Sequence, residues 1–313
     1  MSTSTRSVLR YPGSKARFVD FIEKTIKLNK PKFDVFAEPF CGGASVSIAL
    51  LERGIVENVA LNDADPLVAH LWDCVFCPSS ADWLIEKVKT IPLTLDEWKY
   101  QKNLEPSTPR DAALKCLYLN RTSFNGIIHK AGPVGGWKQS NRTLGARFNR
   151  EKLAIRIREL SLLSDRVISV SNNDWKSFCQ RFNEAFDTFF YFDPPYFHKA
   201  EALYGYFFNQ DEHSALRDYI KKLESPWLLS YDDALEIRSL YLSHVSKIRH
   251  IDSTYSAHPM GGSSFIGREL IFTNLLRLPS ATKNPEIHLG LSIHEFKKKN
   301  INKRRSVSNI VDA

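Results

Sequence analysis

The chain has 313 residues, enough for one large domain or two modest ones with a buried core. Its composition, 43% hydrophobic and 25% charged, excludes collagen, wholesale disorder and low-complexity classes, and a net charge of +8 by itself identifies no partner. No apolar run approaches the roughly 18 to 20 residues of a membrane helix, and the N-terminus lacks the apolar core of a secretory signal, so we expect a cytoplasmic protein with reduced thiols and no membrane partner.

Short apolar runs alternate with helical patterns along most of the chain. The predicted strands are 33–38, 59–62, 167–171, 188–192, 227–231 and 270–274, and the predicted helices are 44–52, 65–72, 174–182, 211–223 and 233–241. This alternation is typical of a mostly parallel sheet covered by helices. The rhythm breaks between about 78 and 150, so the sequence predicts one α/β domain that carries a large insertion.

Positive charge is concentrated in the region that interrupts this rhythm. Residues 99–158 contain 13 Lys and Arg against three Asp and Glu, whereas the rest of the chain has a net charge of −2. Aromatic and amide side chains such as Trp137 and Asn125 are interleaved with these charges. The mixture suits contacts to phosphates and bases, but a solvated basic face is an equally good interpretation.

A glycine pair, Gly42-Gly43, ends the run FAEPFCGG (residues 36–43) that joins the first predicted strand to the first predicted helix. Neither a G-x-G-x-x-G fingerprint nor a Walker loop is present, which disfavours NAD and ATP. Asn62-Asp63 follows the second strand, where a carboxylate can accept the hydroxyls of a ribose. The pattern favours a ribose-bearing ligand without a polyphosphate, although a simple tight turn between strand and helix would show the same sequence pattern.

The most specific motif is Asp193-Pro194-Pro195-Tyr196, which follows an apolar strand and so belongs at the ligand-binding edge of the sheet. Proline holds its preceding residue extended, so the Asp193 carboxylate and the Pro194 carbonyl can converge on an exocyclic amino group. The ring of Tyr196 offers a stacking surface. The motif therefore predicts a nucleobase site; the alternative is a rigid turn with Tyr196 in the core.

Together these motifs resemble the Dam-like D12 class (alpha group) of adenine-N6 DNA methyltransferases, over roughly residues 7 to 275. In the family's order they are RYPGSK (10–15), EPFCGG (38–43), Asn62-Asp63, the insert opening YLNRTSFNG (118–126), Asp174 and DPPY (193–196). Ser14 and Ala44 stand where the family usually has glycine. The run GPVGGWK (132–138) replaces the segment of GATC-reading members, which leaves the recognition sequence open.

The resemblance implies a Rossmann-like S-adenosylmethionine-dependent methyltransferase fold, with a mostly parallel seven-stranded sheet and an inserted, mainly helical target-recognition domain. It divides the chain into a catalytic domain (1–75 and 158–280), the insert (76–157) and a basic C-terminal tail (281–313). The tail carries two basic clusters, at 297–299 and 303–305.

The family's functional residues transfer to matching positions of this chain. The implied catalytic residues are Asp193, Pro194 and Tyr196. The implied cofactor-binding residues are Tyr11, Lys15, Glu38, Phe40, Cys41, Gly42, Gly43, Asp63 and Asp174. For DNA, Arg10 occupies the position from which a cationic side chain in the family reaches a flanking base, and Arg121, Asn125 and Lys138 are the candidate contacts within the insert. The chemistry needs no metal and no covalent intermediate, because the methyl group is already activated on sulfur.

The expected function is methyl transfer to N6 of an adenine flipped out of double-stranded DNA. An enzyme acting on RNA or on cytosine N4, and a DNA-binding module of this fold without turnover, are the alternatives. A cytosine-C5 enzyme is disfavoured because the chain has no Pro-Cys dipeptide. We expect a monomer associated with the nucleoid, and the sequence leaves open whether a cognate restriction endonuclease exists.

Overall fold

The computed structural model describes residues 7–11, 13–140, 142–198, 205–241, 247–255, 265–280 and 287–289. The strands are β1 (Val35–Glu38), β2 (Asn58–Asn62), β3 (Val167–Ser171), β4 (Thr188–Phe192), β5 (Trp227–Asp232), β6 (Lys247–Tyr255), β7 (Phe265–Thr273) and β8 (Ile287–Leu289). The helices are α1 (Val19–Asn29), α2 (Ser45–Glu52), α3 (Pro66–Phe76), α4 (Pro78–Thr90), α5 (Leu95–Asn103), α6 (Pro109–Thr122), α7 (Arg150–Ser161), α8 (Trp175–Ala185), α9 (Gln210–Lys222) and α10 (Leu235–Tyr241).

Within the described residues the strands form one sheet in the order β3-β2-β1-β4-β5-β7-β6-β8. The first five are mutually parallel, and β7, β6 and β8 pair antiparallel. The predicted seven-stranded, mostly parallel methyltransferase sheet is confirmed, and the short β8 extends it beyond β6. Since β1 pairs with both β2 and β4, the strand order switches direction beside β1, where open α/β sheets bind their ligands.

Strand β4 shows why this sequence gives a central strand. All five of its residues are buried, and successive side chains enter cores on opposite faces. Phe189 packs in the cluster that contains Phe21 of α1, whereas Phe190 packs with Phe178 of α8. Helices therefore cover both faces of β4, as in parallel sheets generally, and the loop after Phe192 starts from a fully buried strand.

Several predicted elements agree with the structure, and others need correction. Strands β3 and β4 have the predicted bounds, and the helix expected at 65–72 runs on to Phe76. The strand expected at 270–274 begins at Phe265, because its first half carries the polar run Gly267-Arg268-Glu269 and does not look like a buried strand. Strand β6 was not predicted, since its sequence KIRHIDSTY is largely polar or charged.

Helices α4 to α7 form a helical layer on α3. Trp72 and Val75 of α3 share one hydrophobic cluster with Leu117 of α6 and Ile157 of α7. The division of the chain into domains stays a prediction, and α7 is continuous across its expected boundary at residue 157. The predicted basic clusters of the tail lie outside the described residues. None of the helices in the described part of the chain is long and apolar enough to cross a membrane.

Candidate active site

A cleft opens at the carboxyl ends of β1, β2 and β4, next to the switch in strand order. Its lining brings together all of the predicted cofactor-binding and catalytic residues. These are Tyr11, Lys15, Glu38, Phe40, Cys41, Gly42, Gly43, Asp63, Asp174, Asp193, Pro194 and Tyr196. Residues as far apart in sequence as Tyr11 and Tyr196 therefore meet in one site.

The loop after β1 forms a close-fitting turn around its glycine pair. Gly42 has a φ of +44°, and a Cβ at this position would come within 2.6 Å of Cε1 of Tyr11. A Cβ on Gly43 would likewise come within 2.9 Å of Cβ of Tyr11. Ala44, where the family favours glycine, is also left-handed at φ 47°, although the side chain is buried. The loop thus needs glycine at residue 42 both for its backbone conformation and for the ring that covers it.

Asp63 ties this loop to the end of β2. Its Oδ2 accepts from the backbone N–H of Gly42 over 2.8 Å, and its Oδ1 accepts from the N–H of Asp65 over 2.9 Å. Burial, followed by the nearby Asp65 carboxylate, raises the pKa of Asp63 to about 7. Cys41 is buried close by, with Sγ 4.0 Å from Asp63 Oδ2. The carboxylate is therefore pre-oriented at the position predicted for ribose binding.

Glu38 occupies the end of β1 and is almost fully buried. Its Oε1 accepts from both the backbone N–H and the hydroxyl of Ser47 in α2, each over 2.7 Å. Burial raises the pKa of Glu38 to about 8, and the charge of Asp193 adds to this shift. A group with this pKa exchanges a proton near neutral pH, so the charge in the cleft depends on pH.

An aromatic wall closes one side of the cleft. The ring of Phe40 lies 6.2 Å from that of Trp175 and 5.5 Å, edge to face, from that of Phe208. Asp174 begins α8, where its Oδ1 accepts from the N–H groups of Lys176 and Ser177. The sequence motifs did not identify Trp175 or Phe208, because single aromatic residues beside a helix start carry no distinctive pattern.

The Asp193 carboxylate lies at the end of β4 and is held through one oxygen. Its Oδ1 accepts from the Ser230 hydroxyl over 2.8 Å and lies 2.7 Å from the Lys15 ammonium. Pro194 is buried behind it. Among the described residues, Oδ2 has no hydrogen-bond partner, and Asp193 lines the cleft.

Lys15 is a central member of this site. Its ammonium also donates to the hydroxyl of Tyr196 over 3.2 Å and lies 3.3 Å from Oε2 of the buried Glu269. Burial opposes the charge, yet Asp193 and Glu269 raise the pKa of Lys15 well above its ordinary value. Lys15 was predicted as a cofactor contact, and that assignment stays a prediction. Glu269 was missed, because a single acid in a strand gave no motif.

Three of the predicted DNA contacts, Arg10, Arg121 and Asn125, lie where the N-terminal segment meets the insert. The backbone N–H of Arg10 donates to Asn120 over 2.8 Å. Arg121 is directed inward and donates to the carbonyl of Val8, and burial lowers its pKa to about 10. Asn125 is exposed at a positive φ of 55°, and Lys138 is exposed. The geometry gives Arg121 a structural contact, while all four DNA contacts stay predictions.

Arg142 and Arg147 are close enough to Arg10 at this junction for their charges to interact with its guanidinium group. Burial, followed by the charges of Arg147 and Arg142, lowers the pKa of Arg10. Arg142 and Arg147 are both exposed. Mutual repulsion within such a cluster is relieved when an anion binds, so this surface suits a polyanion.

Comparison with known proteins agrees with this site. The profile of the D12 class N6 adenine-specific DNA methyltransferases matches residues 11–257, which include every predicted cofactor-binding and catalytic residue. The chain belongs to this family. It is thus an adenine-specific DNA methyltransferase. The chain is also similar to the type II methyltransferase M.MjaIII of Methanocaldococcus jannaschii, with 25% identity over 244 residues, 69% of this chain and 79% of the relative.

Proposed function

We propose that this DNA methyltransferase takes its methyl group from S-adenosylmethionine and transfers it to N6 of an adenine rotated out of double-stranded DNA. One observation carries the proposal. Asp193 and Pro194 line the same cleft as the glycine turn and Asp63. A hydrogen-bonding site for the target amino group and a candidate ribose site for the methyl donor therefore share one cavity. Methyl transfer requires the donor and the target base to be held side by side in this way.

The residues of the cleft fit S-adenosylmethionine. The Gly42-Gly43 turn, packed closely under Tyr11, lines the cleft with backbone and no side chain of its own. Asp63 would accept the ribose hydroxyls, and the wall of Phe40 and Trp175 would flank the adenine with Asp174 at its edge. When bound, the cofactor supplies a methyl group on a positively charged sulfur, which leaves as a thioether.

The catalytic work of the protein is to hold and polarise the target amino group. Asp193 Oδ2 and the Pro194 carbonyl would accept from the two N6–H bonds, which orients the nitrogen lone pair toward the methyl carbon. As the N–C bond forms, positive charge develops on N6, and the Asp193 carboxylate stabilises it. The surplus proton of N6 then leaves to solvent. Asp193 thus acts through position and charge.

Base flipping is proposed because a base within the duplex could not reach a carboxylate recessed at the end of β4. Rotation of a nucleotide out of the helix costs a few kcal/mol. Stacking on Tyr196 would offset part of this cost. The cluster of Arg10, Arg142 and Arg147 lies on the insert side of the site and would contact phosphates.

The wider role follows from these proposals. The type II designation of the relative supports a place in a restriction-modification system with a cognate endonuclease. We infer action on chromosomal DNA in the cytoplasm, by a monomer, since one chain supplies every element of the site described above.

The test is transfer of labelled methyl groups from S-adenosylmethionine to unmethylated double-stranded DNA, followed by digestion to nucleosides. We expect N6-methyladenine from the wild type and a rate at least about 100-fold lower from Asp193→Ala. Asp187→Asn, an exposed aspartate at the opposite end of β4, is the matched control and should retain full activity. Label in N4-methylcytosine, label in RNA alone, or full activity of Asp193→Ala would each overturn the proposal.

A further inference from the structure

We propose that Glu269 is a positioning residue for methyl transfer, whose buried carboxylate balances Lys15 and fixes Tyr196 so that Asp193 keeps its negative charge toward the target amino group. This inference rests on the proposed function and assigns a residue that lies outside all of the sequence motifs. Glu269 lies on the antiparallel strand β7, opposite Asp232 of β5.

The contacts of Glu269 connect the two halves of the catalytic motif. Its Oε1 accepts from the Tyr196 hydroxyl over 3.2 Å, which sets the direction of that ring. Its Oε2 lies 3.3 Å from the Lys15 ammonium, which in turn lies 2.7 Å from Asp193 Oδ1. Glu269 and Lys15 are only 2% and 4% exposed, so water screens neither charge effectively.

Lys15 also determines which oxygen of Asp193 is available. Lys15 and the Ser230 hydroxyl both contact Oδ1, so rotation of the carboxylate would break two interactions. The remaining oxygen, Oδ2, is the one without a partner among the residues described. The ammonium therefore orients the catalytic carboxylate, and Glu269 holds the ammonium.

The charges explain why a second carboxylate is present. Lys15 alone would neutralise Asp193, and the pair would do little to stabilise positive charge on N6. With Glu269 ionised, the three groups carry a net charge of −1 next to the reacting nitrogen. One carboxylate would suffice to pair the buried lysine. The second carboxylate therefore contributes negative electrostatic potential to the cleft.

The variant Glu269→Gln tests this inference, because it keeps the shape of the side chain and removes its charge. We expect kcat to fall roughly 10- to 100-fold while KM for the cofactor and for DNA changes less than about threefold. Glu269→Asp keeps the charge and should be faster than Glu269→Gln. Glu224→Gln, at an exposed position, is the control and should match the wild type.

The pH profile separates a charge effect from a structural one. Asp193, Glu269, Tyr196 and Tyr191 are the groups that face Lys15. In Glu269→Gln the lost carboxylate charge lowers the pKa of Lys15. When Lys15 loses its proton at alkaline pH, the site around Asp193 in the variant regains a net charge of −1. The factor by which the wild-type kcat exceeds the Glu269→Gln kcat should therefore become smaller as pH rises.

Three outcomes would overturn the inference while leaving the proposed function intact: an unchanged kcat in Glu269→Gln, a kcat ratio that is constant with pH, or a Glu269→Asp variant that is no faster than Glu269→Gln. In each case the wild type still forms N6-methyladenine. If the wild type forms no N6-methyladenine, both the proposed function and the role of Glu269 are wrong. Product analysis of the wild type therefore distinguishes failure of the proposed function from failure of the Glu269 inference.

Discussion

The ring of Tyr11 lies directly over Gly42, so that a Cβ on the glycine would come within 2.6 Å of Cε1 of the tyrosine. Gly42 also has a positive φ and donates its N–H to Asp63. One backbone position thus joins the N-terminal segment, the loop after β1 and the acidic end of β2.

Gly42→Ala is predicted to weaken cofactor binding. The added methyl group must displace Tyr11 or shift the loop, and strain of about 1–3 kcal/mol at a left-handed position corresponds to at least several-fold in affinity. We expect the Kd for S-adenosylmethionine, measured by calorimetry, to rise about tenfold or more. Gly132→Ala is the control, because a Cβ there meets no atom within 4 Å. Equal affinity in both variants would contradict this account of the loop.

Much of this site could be predicted because its residues belong to short motifs. Gly42 and Asp193 sit in loops that directly follow buried strands, so the sequence around each one identifies both its neighbours and its place in the sheet. The same holds for Asp63 and Asp174. Chain-local motifs of this kind are visible without any knowledge of tertiary packing.

The remaining residues could not be predicted, because tertiary contacts alone bring them to the site. Ser230 and Glu269 reach Asp193 and Lys15 through the pairing of β5 with β7, and nothing near them in sequence indicates that register. Arg121 is a residue that the sequence did select, but its local pattern does not show what its side chain contacts. A basic residue in a basic segment looks the same whether it faces DNA or, as here, a backbone carbonyl.

Glu38→Gln is predicted to change how stability depends on pH. The folded pKa of Glu38, about 8, lies above its ordinary value of 4.5. The stability that its proton contributes is therefore complete below pH 4.5 and is lost as pH rises through about 8. Each pH unit within this window lowers the wild-type free energy of unfolding by at most about 1.4 kcal/mol.

Thermal unfolding at pH 5 and pH 8, without cofactor, measures this effect. Glutamine resembles the protonated acid and can still accept from Ser47, so Glu38→Gln should gain stability relative to the wild type as pH rises. Asp63, whose pKa is also raised, is present in both proteins and cancels in the comparison. A difference in Tm that stays the same at both pH values would refute the assignment of a raised pKa to Glu38.

His129→Ala is predicted to loosen the link between the insert and the cofactor site. The His129 ring nitrogen Nε2 lies 2.6 Å from Asp65 Oδ2, and Asp65 donates its N–H to Asp63. The ring also packs against Gly205, beside the segment that lines the cleft. We expect the Kd for S-adenosylmethionine to rise severalfold, with a smaller change in DNA affinity. A variant that loses DNA affinity and keeps cofactor affinity would show that His129 serves the DNA surface instead.

Arg142→Ala is predicted to weaken DNA binding, whereas Arg121→Ala is predicted to lower stability. Arg142 is exposed and close enough to Arg10 for its charge to lower the pKa of Arg10, so its loss should weaken DNA binding and reduce the slope of log Kd against log salt by about one, with Tm unchanged. Arg121 donates to the buried carbonyl of Val8, and its removal leaves that acceptor unpaired, at a cost of about 1–3 kcal/mol of stability. We therefore expect Arg121→Ala to lower Tm and to leave the salt slope unchanged. Fluorescence anisotropy across a salt series, together with thermal unfolding, measures both quantities, and a reduced salt slope in Arg121→Ala would support the predicted direct contact of Arg121 with DNA.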